Sequence, residues 1–256
     1  MQVSVISNIG LRRSTNQDYA DYFINNQEQV LFVLCDGVGG NQAGDVASQL
    51  TTQYIGEAFK SLKQTLAIKD ALNWMDQTIN DANSYIYNIS KTEAKLEGMS
   101  TTLVLALWIN NELLIGHVGD SRAYIYSEGS LKQMTEDHSL VNELIKSGEI
   151  TPEEGEHHPI RNVVTQSIGG TSTVSFEVDR FKIKDNATLL MCSDGLTNMV
   201  PFNQLQSYFE DESISKQELG EILINAANDA GGVDNITVIL VTEWKKPSVE
   251  EVIHND

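Results

Sequence analysis

The chain has 256 residues, 41% hydrophobic and 21% charged, with 17 Lys and Arg against 36 Asp and Glu for a formal net charge of −19. That balance excludes a surface built to hold nucleic-acid phosphates, whose affinity comes chiefly from Lys and Arg, and an anionic membrane would repel it for the same reason. With so few cationic side chains to pair, some carboxylates are expected to face metal ions instead.

A domain of this length buries roughly 70–75% of its unfolded-chain surface and needs no disulfide framework. Cys35 and Cys192 each lie inside an apolar run and read as reduced core residues. The start, MQVSVISNIG, lacks the basic flank and long apolar core of a signal peptide. No apolar stretch approaches the roughly 18–20 residues that cross a bilayer. A cytoplasmic location is therefore expected, and the Asn-x-Ser/Thr triplets at Asn88 and Asn235 carry little weight. No repeat or linker interrupts the chain, so residues 1–243 are expected to form one domain and 244–256 a short polar tail.

In chain order, strands rich in Val, Ile and Leu are expected at 2–7 and 29–35. Helices follow over 45–62, where Ala47, Leu50, Tyr54, Ala58 and Leu62 recur at spacings of three and four, and over 70–90, where Leu72, Met75, Ile79, Ala82, Ile86 and Ile89 do the same. One apolar stripe on each suits two helices lying side by side outside a sheet. Strands at 101–108, 112–118 and 122–126 are separated by only three or four residues. Parallel neighbours need a crossover of about a dozen residues or more, so an antiparallel meander is expected and a doubly wound dinucleotide fold is not. A helix over 139–147, strands at 174–182 and 187–192, a helix over 216–230 and a strand at 236–242 complete the chain. The helices at 139–147 and 216–230 read as a second pair, ending at Gly148 and Gly231, where a left-handed residue suits the helix end. Antiparallel sheets with helices layered outside give an α+β sandwich.

Acids stand where the strands end. VLFVLC runs into Asp36-Gly37, TLLMCS into Asp194-Gly195 and LLIGHVG into Asp120; Asp234 precedes ITVILV, and Asp18 lies between the first two strands. One such acid alone is ordinary turn chemistry. Strand ends of stacked sheets can converge on one edge, and carboxylates gathered there repel by roughly 4 kcal/mol per pair at about 4 Å and an effective dielectric of about 20. Hard divalent cations with oxygen ligands relieve that repulsion, and Mg²⁺ or Mn²⁺ fits better than zinc. No HExxH spacing occurs among the histidines, and the cysteines make no CxxC pair. The glycine-rich stretch 37–44 is not a P-loop, because Asp45-Val46 replaces the Lys-Ser/Thr; nor is it a dinucleotide fingerprint, because Gln42 replaces the third glycine.

The motifs that carry a resemblance are Arg13-Ser-Thr-Asn-Gln-Asp18, Asp36-Gly-Val-Gly-Gly40 with Ala43-Gly44-Asp45, Gly98-Met-Ser-Thr-Thr102, Gly119-Asp-Ser-Arg122, Asp137-His-Ser139, Ile168-Gly-Gly170, Ser193-Asp-Gly-Leu196 and Gly231-Gly-Val-Asp-Asn-Ile-Thr237. In this order they resemble the metal-dependent PP2C-type (PPM) Ser/Thr protein phosphatases in their compact bacterial form, over about residues 5–240. The resemblance implies an αββα sandwich of two central antiparallel sheets flanked by helix pairs. It implies two Mn²⁺ or Mg²⁺ ions bridged by Asp36 and also held by the Gly37 carbonyl, with Asp194 and Asp234 completing one shell and Asp18 supporting the other through water. Asp120 with Asp194 would hold a third, weaker ion, and Arg13 would grip the substrate phosphate, a task suited to a guanidinium fork. Water bridging the ions would attack phosphorus directly, with no phosphoenzyme.

Expected substrates are phosphorylated proteins and the expected counterpart is a bacterial Ser/Thr kinase, with the phosphatase a monomer that engages neither nucleic acid nor membrane. Three positions depart from the family pattern: Val38 replaces a histidine proposed elsewhere as the proton donor, Gln17 replaces a common Glu, and Asn41 replaces a histidine. Residues 138–168 match the flap beside the active site, where His157, His158 and Arg161 are expected to influence substrate choice. The rival readings are a catalytically weak phosphoprotein-binding scaffold and a two-metal nuclease, which the −19 charge disfavours.

Overall fold

The computed structural model describes residues 1–38, 43–156 and 158–244. Gly39, Gly40, Asn41, Gln42, His157 and the tail from residue 245 lie outside the described residues. The strands are β1 (Gln2–Asn8), β2 (Asp18–Ile24), β3 (Val30–Val38), β4 (Ser100–Thr101), β5 (Leu103–Ile109), β6 (Glu112–Val118), β7 (Arg122–Ser127), β8 (Ser130–Gln133), β9 (Glu177–Lys182), β10 (Thr188–Cys192) and β11 (Ile236–Thr242). The helices are α1 (Gly44–Lys60), α2 (Ile68–Ile89), α3 (Leu140–Ser147), α4 (Pro152–Glu156), α5 (Asp194–Thr197), α6 (Phe202–Glu210) and α7 (Leu219–Asp229). One sheet runs β1-β11-β10-β7-β8 and the other β2-β3-β5-β6-β9, with β4 beside the end of β3. The pairings within both sheets are antiparallel.

Strand periodicity builds the layers. In β3, Leu31, Val33 and Cys35 pack under α1 and α2, while Val30, Phe32 and Leu34 face the other sheet. In β10, Leu189 and Met191 join that central interior while Leu190 and Cys192 meet α7; Ile239 and Val241 of β11 face inward, and Val238 and Leu240 outward. Three apolar interiors thus separate four layers, helix–sheet–sheet–helix, as expected from the resemblance. Both cysteines are buried and unpaired, and burial pushes their thiols up to about 12. Among the described residues no helix is long and apolar enough to cross a membrane.

Several local expectations are corrected. The meander stops after β6, whose other neighbour is β9, while β7 pairs with β10 and β8 in the opposite sheet. The short connection at Gly119–Ser121 crosses between layers, with Gly119 at φ +100°, so a three-residue link did not mean a hairpin. The helices expected to pair do not: α3 packs with α4, and α7 with α5 and α6. Gly148 is left-handed as expected, and Gly231 also has positive φ. On α1 the buried face is Gly44, Ala47, Ser48, Thr51, Thr52, Ile55, Gly56 and Phe59, rotated from the expected stripe. Small polar residues supply much of that face where the helix crosses the sheet end, and a purely apolar count overlooks them. Trp244, assigned to the tail, is buried, and its Nε1–H donates to the Ala187 carbonyl.

Candidate active site

Asp18 and Asp36 are directly opposite each other on β2 and β3, so their side chains share one face. Like charges in that position repel, a cost that a proton held on one carboxyl or a nearby cation relieves. Asp36 is not a turn residue at a strand end, as expected; β3 continues to Val38. Threonines position it. Asp36 N–H donates to Thr102 Oγ1 at 3.0 Å, and its carbonyl accepts from Thr102 N–H at 2.7 Å and from the Thr101 hydroxyl at 2.8 Å. Thr102 also shares a 2.7 Å hydrogen bond with Ser121, next to Asp120, and so joins the end of β3 to the crossover.

The opposite sheet supplies the other acids. Asp194 opens α5, where its carboxylate accepts from Asn198 Nδ2 at 2.9 Å, and Asp234 precedes β11. Ser193 links the two sheets: its hydroxyl donates to Asp18 Oδ2 at 2.7 Å and accepts from Thr237 N–H at 3.0 Å. Asn235 ties down the segment carrying Arg13, accepting from Gln17 N–H at 2.8 Å and donating to the carbonyls of Ile9 and Thr15. Arg13 Nη2 donates to Asp234 Oδ2 at 2.7 Å in a half-exposed ion pair. The Gln17 carbonyl accepts from Gly37 N–H and the Ser48 hydroxyl, so its main chain joins the end of β3 to α1.

The acids sense one another. Burial, then the charges of Asp18, Asp194, Asp120 and Asp234, hold the Asp36 carboxyl well above its ordinary range. Asp194 is raised likewise by burial and by Asp120, Asp234 and Asp18. Asp18 is pushed up to about 6, mainly by burial, against hydrogen bonds from Ser193 and Thr237 that lower it. Burial and Asp137 lift Asp120 to about 6. Among the described residues no three His, Cys, Asp or Glu side chains close into a ready-made metal cage. The donor chemistry nevertheless fits hard divalent ions, because carboxylates supply the oxygens and Asp18 Oδ1 is buried without a partner.

Positioning residues that sequence reasoning left without a role surround this set. His138 N–H donates to the Gly119 carbonyl at 2.9 Å, Gly119 N–H donates back to His138 Nδ1 at 3.2 Å, and Thr165 N–H donates to the His138 carbonyl. The crossover bearing Asp120 is thereby fastened to His138, which in turn holds Thr165 near the other end of segment 138–168. Arg122 grips Asp137 through Nε and Nη2, at 2.8 and 2.6 Å. The only sequence signal for Thr102, Ser193, Asn235 and His138 was their place inside the motifs. Of the residues expected to influence substrate choice, Arg161 is exposed and His158 half-buried, both on segment 138–168 rather than among the aspartates.

Close approach of the two acid-bearing turns depends on Gly195. A Cβ there would lie 1.9 Å from the Asn235 carbonyl oxygen and 3.4 Å from Asp234 Cβ. Gly195→Ala is expected to cost roughly 1–3 kcal/mol and to weaken Mn²⁺ binding by separating Asp194 from Asp234. Thermal melts and Mn²⁺ titration check both; wild-type values in each would contradict this packing.

A family model described as protein phosphatase 2C matches residues 11–224. The chain is 39% identical to serine/threonine phosphatase stp of Listeria monocytogenes, covering 91% of this chain and 92% of that protein. It is 36% identical to protein phosphatase PhpP of Streptococcus pneumoniae, covering 94% and 97%. Among solved structures, the S. agalactiae serine/threonine phosphatase superposes with a TM-score of 0.88 at 36% identity, covering 94% of this chain and 98% of that one.

Proposed function

This chain belongs to the protein phosphatase 2C family, and from that premise we propose that it hydrolyses phosphoserine and phosphothreonine in proteins at the aspartate-lined edge of its two sheets. It is an enzyme of the protein-serine/threonine phosphatase class. The observation that carries the site assignment is the placing of the acids: Asp36 stands opposite Asp18 across β2 and β3, Ser193 next to Asp194 donates to Asp18, and Arg13 pairs with Asp234.

Asp36 with the Gly37 carbonyl, Asp194 and Asp234 would hold two divalent ions, Asp18 would support them, and Asp120 with Asp194 would hold a third. When bound, such ions lower the pKa of water towards neutrality and offset phosphoryl charge. Ser193 keeps Asp18 oriented, and Thr101 and Thr102 keep Asp36 in place, so these two acids are held on packed strands. Arg13, already at the edge of the set, has further N–H groups for two phosphate oxygens. Val38 offers no proton to the departing serine or threonine oxygen, which leaves that proton to water. Both buried thiols, far above neutral titration, remain outside the chemistry.

The test is phosphate release in Mn²⁺ from phosphothreonine, phosphoserine and phosphotyrosine peptides alongside an oligonucleotide. Preference for the first two is expected; preference for the phosphodiester would overturn the reading. Arg13→Ala is expected to raise KM for a phosphothreonine peptide about tenfold, the order of one charged hydrogen bond, with a smaller fall in kcat. An unchanged KM would remove Arg13 from phosphate binding. In the cell the enzyme would act as a cytoplasmic monomer opposing a Ser/Thr kinase.

A further inference from the structure

Large apolar side chains are exposed at few places among the described residues, and three of them lie together beside the candidate site: Ile9 at 39%, Leu11 at 65% and Val233 at 45%. Leu11 stands two residues before Arg13, and Val233 immediately precedes Asp234. The two segments are joined: Leu11 N–H donates to the Gly232 carbonyl at 2.7 Å, and Asn235 Nδ2 donates to the Ile9 carbonyl at 2.9 Å. The Leu11 side chain rests on Gly232, where a Cβ would stand 2.8 Å from Leu11 Cγ. Val233 Cγ1 and Met199 Sδ lie at 3.8 and 3.9 Å from the corresponding point on Gly231. Leu11, Val233 and Met199 thus line a short apolar shelf whose floor is the glycine pair.

Nothing in folding requires this shelf to face water. A leucine this exposed gains little from burial, and a polar residue would serve equally well unless something covers it on binding. Its neighbours say what: the shelf adjoins the arginine and aspartate of a site proposed above to take a phosphorylated side chain. We propose that Leu11 and Val233 form a specificity surface that receives an aliphatic side chain two residues from the phosphorylated residue of the substrate protein. This rests on the phosphatase reading. In an extended segment side chains two residues apart share one face and stand roughly 7 Å from each other, so an aliphatic side chain two residues from the phosphorylated one reaches the rim around Arg13. Covering the shelf removes apolar surface from water on both partners, and the gain appears only with a flanking side chain present.

The experiment compares a phosphothreonine peptide with leucine two residues to either side of the phosphothreonine, the same peptide with glycine at those positions, and a small aryl phosphate with no flanking residue. Wild type and the double variant Leu11→Ser/Val233→Ser are assayed in Mn²⁺, and each peptide's kcat/KM is expressed relative to that for the aryl phosphate. Wild type is expected to favour the leucine peptide about tenfold, within the range for one aliphatic contact, mainly through KM. The double variant should lose that preference. Equal treatment of the two peptides by wild type, or an undiminished preference in the variant, would overturn the shelf while aryl phosphate turnover upholds the phosphatase. Hydrolysis of none of the three would overturn the phosphatase reading, and the shelf with it.

Discussion

Asp36→Asn is expected to abolish turnover and, in the metal-free protein, to raise the melting temperature. Both follow from one cause. Burial first, and then the charges of Asp18 across the strand pair and of Asp194, Asp120 and Asp234, hold the Asp36 carboxyl well above the ordinary range. Asparagine keeps the shape and removes the charge. Relief of that repulsion should stabilise the metal-free fold by about 1–2 kcal/mol, or several degrees at roughly 2–4 °C per kcal/mol for a protein of this size. Activity moves the other way: losing a group that merely orients a metal ligand costs about 10–100-fold, so losing a ligand should cost more than about 100-fold. The variant should also fail to gain stability from Mn²⁺. Scanning calorimetry with EDTA and with Mn²⁺ reads both halves, and a lower metal-free Tm with an intact Mn²⁺ response would contradict the role of Asp36.

The second large effect is a reversal of pH dependence on adding metal. An unfolded Asp titrates near 3.8, whereas folded Asp18 and Asp120 titrate at about 6 and Asp36 and Asp194 are raised well above the ordinary value. For acids raised in this way, the stabilising contribution is complete below the unfolded value and is lost as pH climbs through the folded one. In EDTA, stability should therefore fall between pH 5 and 7.5. His138 works against this between about 4 and 6.5, because burial and then His117 push it down to about 4; it is one group against four. Glu112, Glu128 and Glu136, lowered by hydrogen bonds from Arg180, Lys184 and Lys146, lose their contributions only on acidification below about 4.5. Metal binding needs deprotonated carboxylates, so in Mn²⁺ stability should rise over the same interval. Melting curves at pH 5, 6.5 and 7.5 with each additive check the sign. A flat profile in EDTA would mean the acids do not share a site.

How far the fold was legible depended on which residues each element buries. The strands at 2–7, 112–118, 187–192 and 236–242 were found nearly whole, because apolar side chains fill most of the positions they bury or half-bury. β2 was missed because DYADYFI places Asp and Tyr where an apolar run was sought, and β8, SLKQ, buries only Leu131. α6 was missed for the same reason: Leu205 is its one fully buried residue. The rotation of α1 came from Ser48, Thr51 and Thr52, polar residues that a hydrophobic pattern treats as exposed.

At the site, the acids could be named because each stands within a distinctive motif, four of the five directly beside Gly or Asn. Their supports could not. That Ser193 joins Asp18 to β11, or that Asn235 ties the Arg13 segment, depends on contacts between residues more than 170 positions apart. Local sequence carries no such information. The crossing at Gly119–Ser121 shows the same gap, since loop length alone does not say which sheet the next strand joins.

The most direct test of the account is hydrolysis of a phosphothreonine peptide measured in Mn²⁺, then in EDTA, then after Mn²⁺ is restored. The account predicts turnover that EDTA abolishes and restored metal recovers, with little hydrolysis of a matched phosphotyrosine peptide. Undiminished turnover in EDTA would contradict it, because the aspartate edge would then have no part in the reaction.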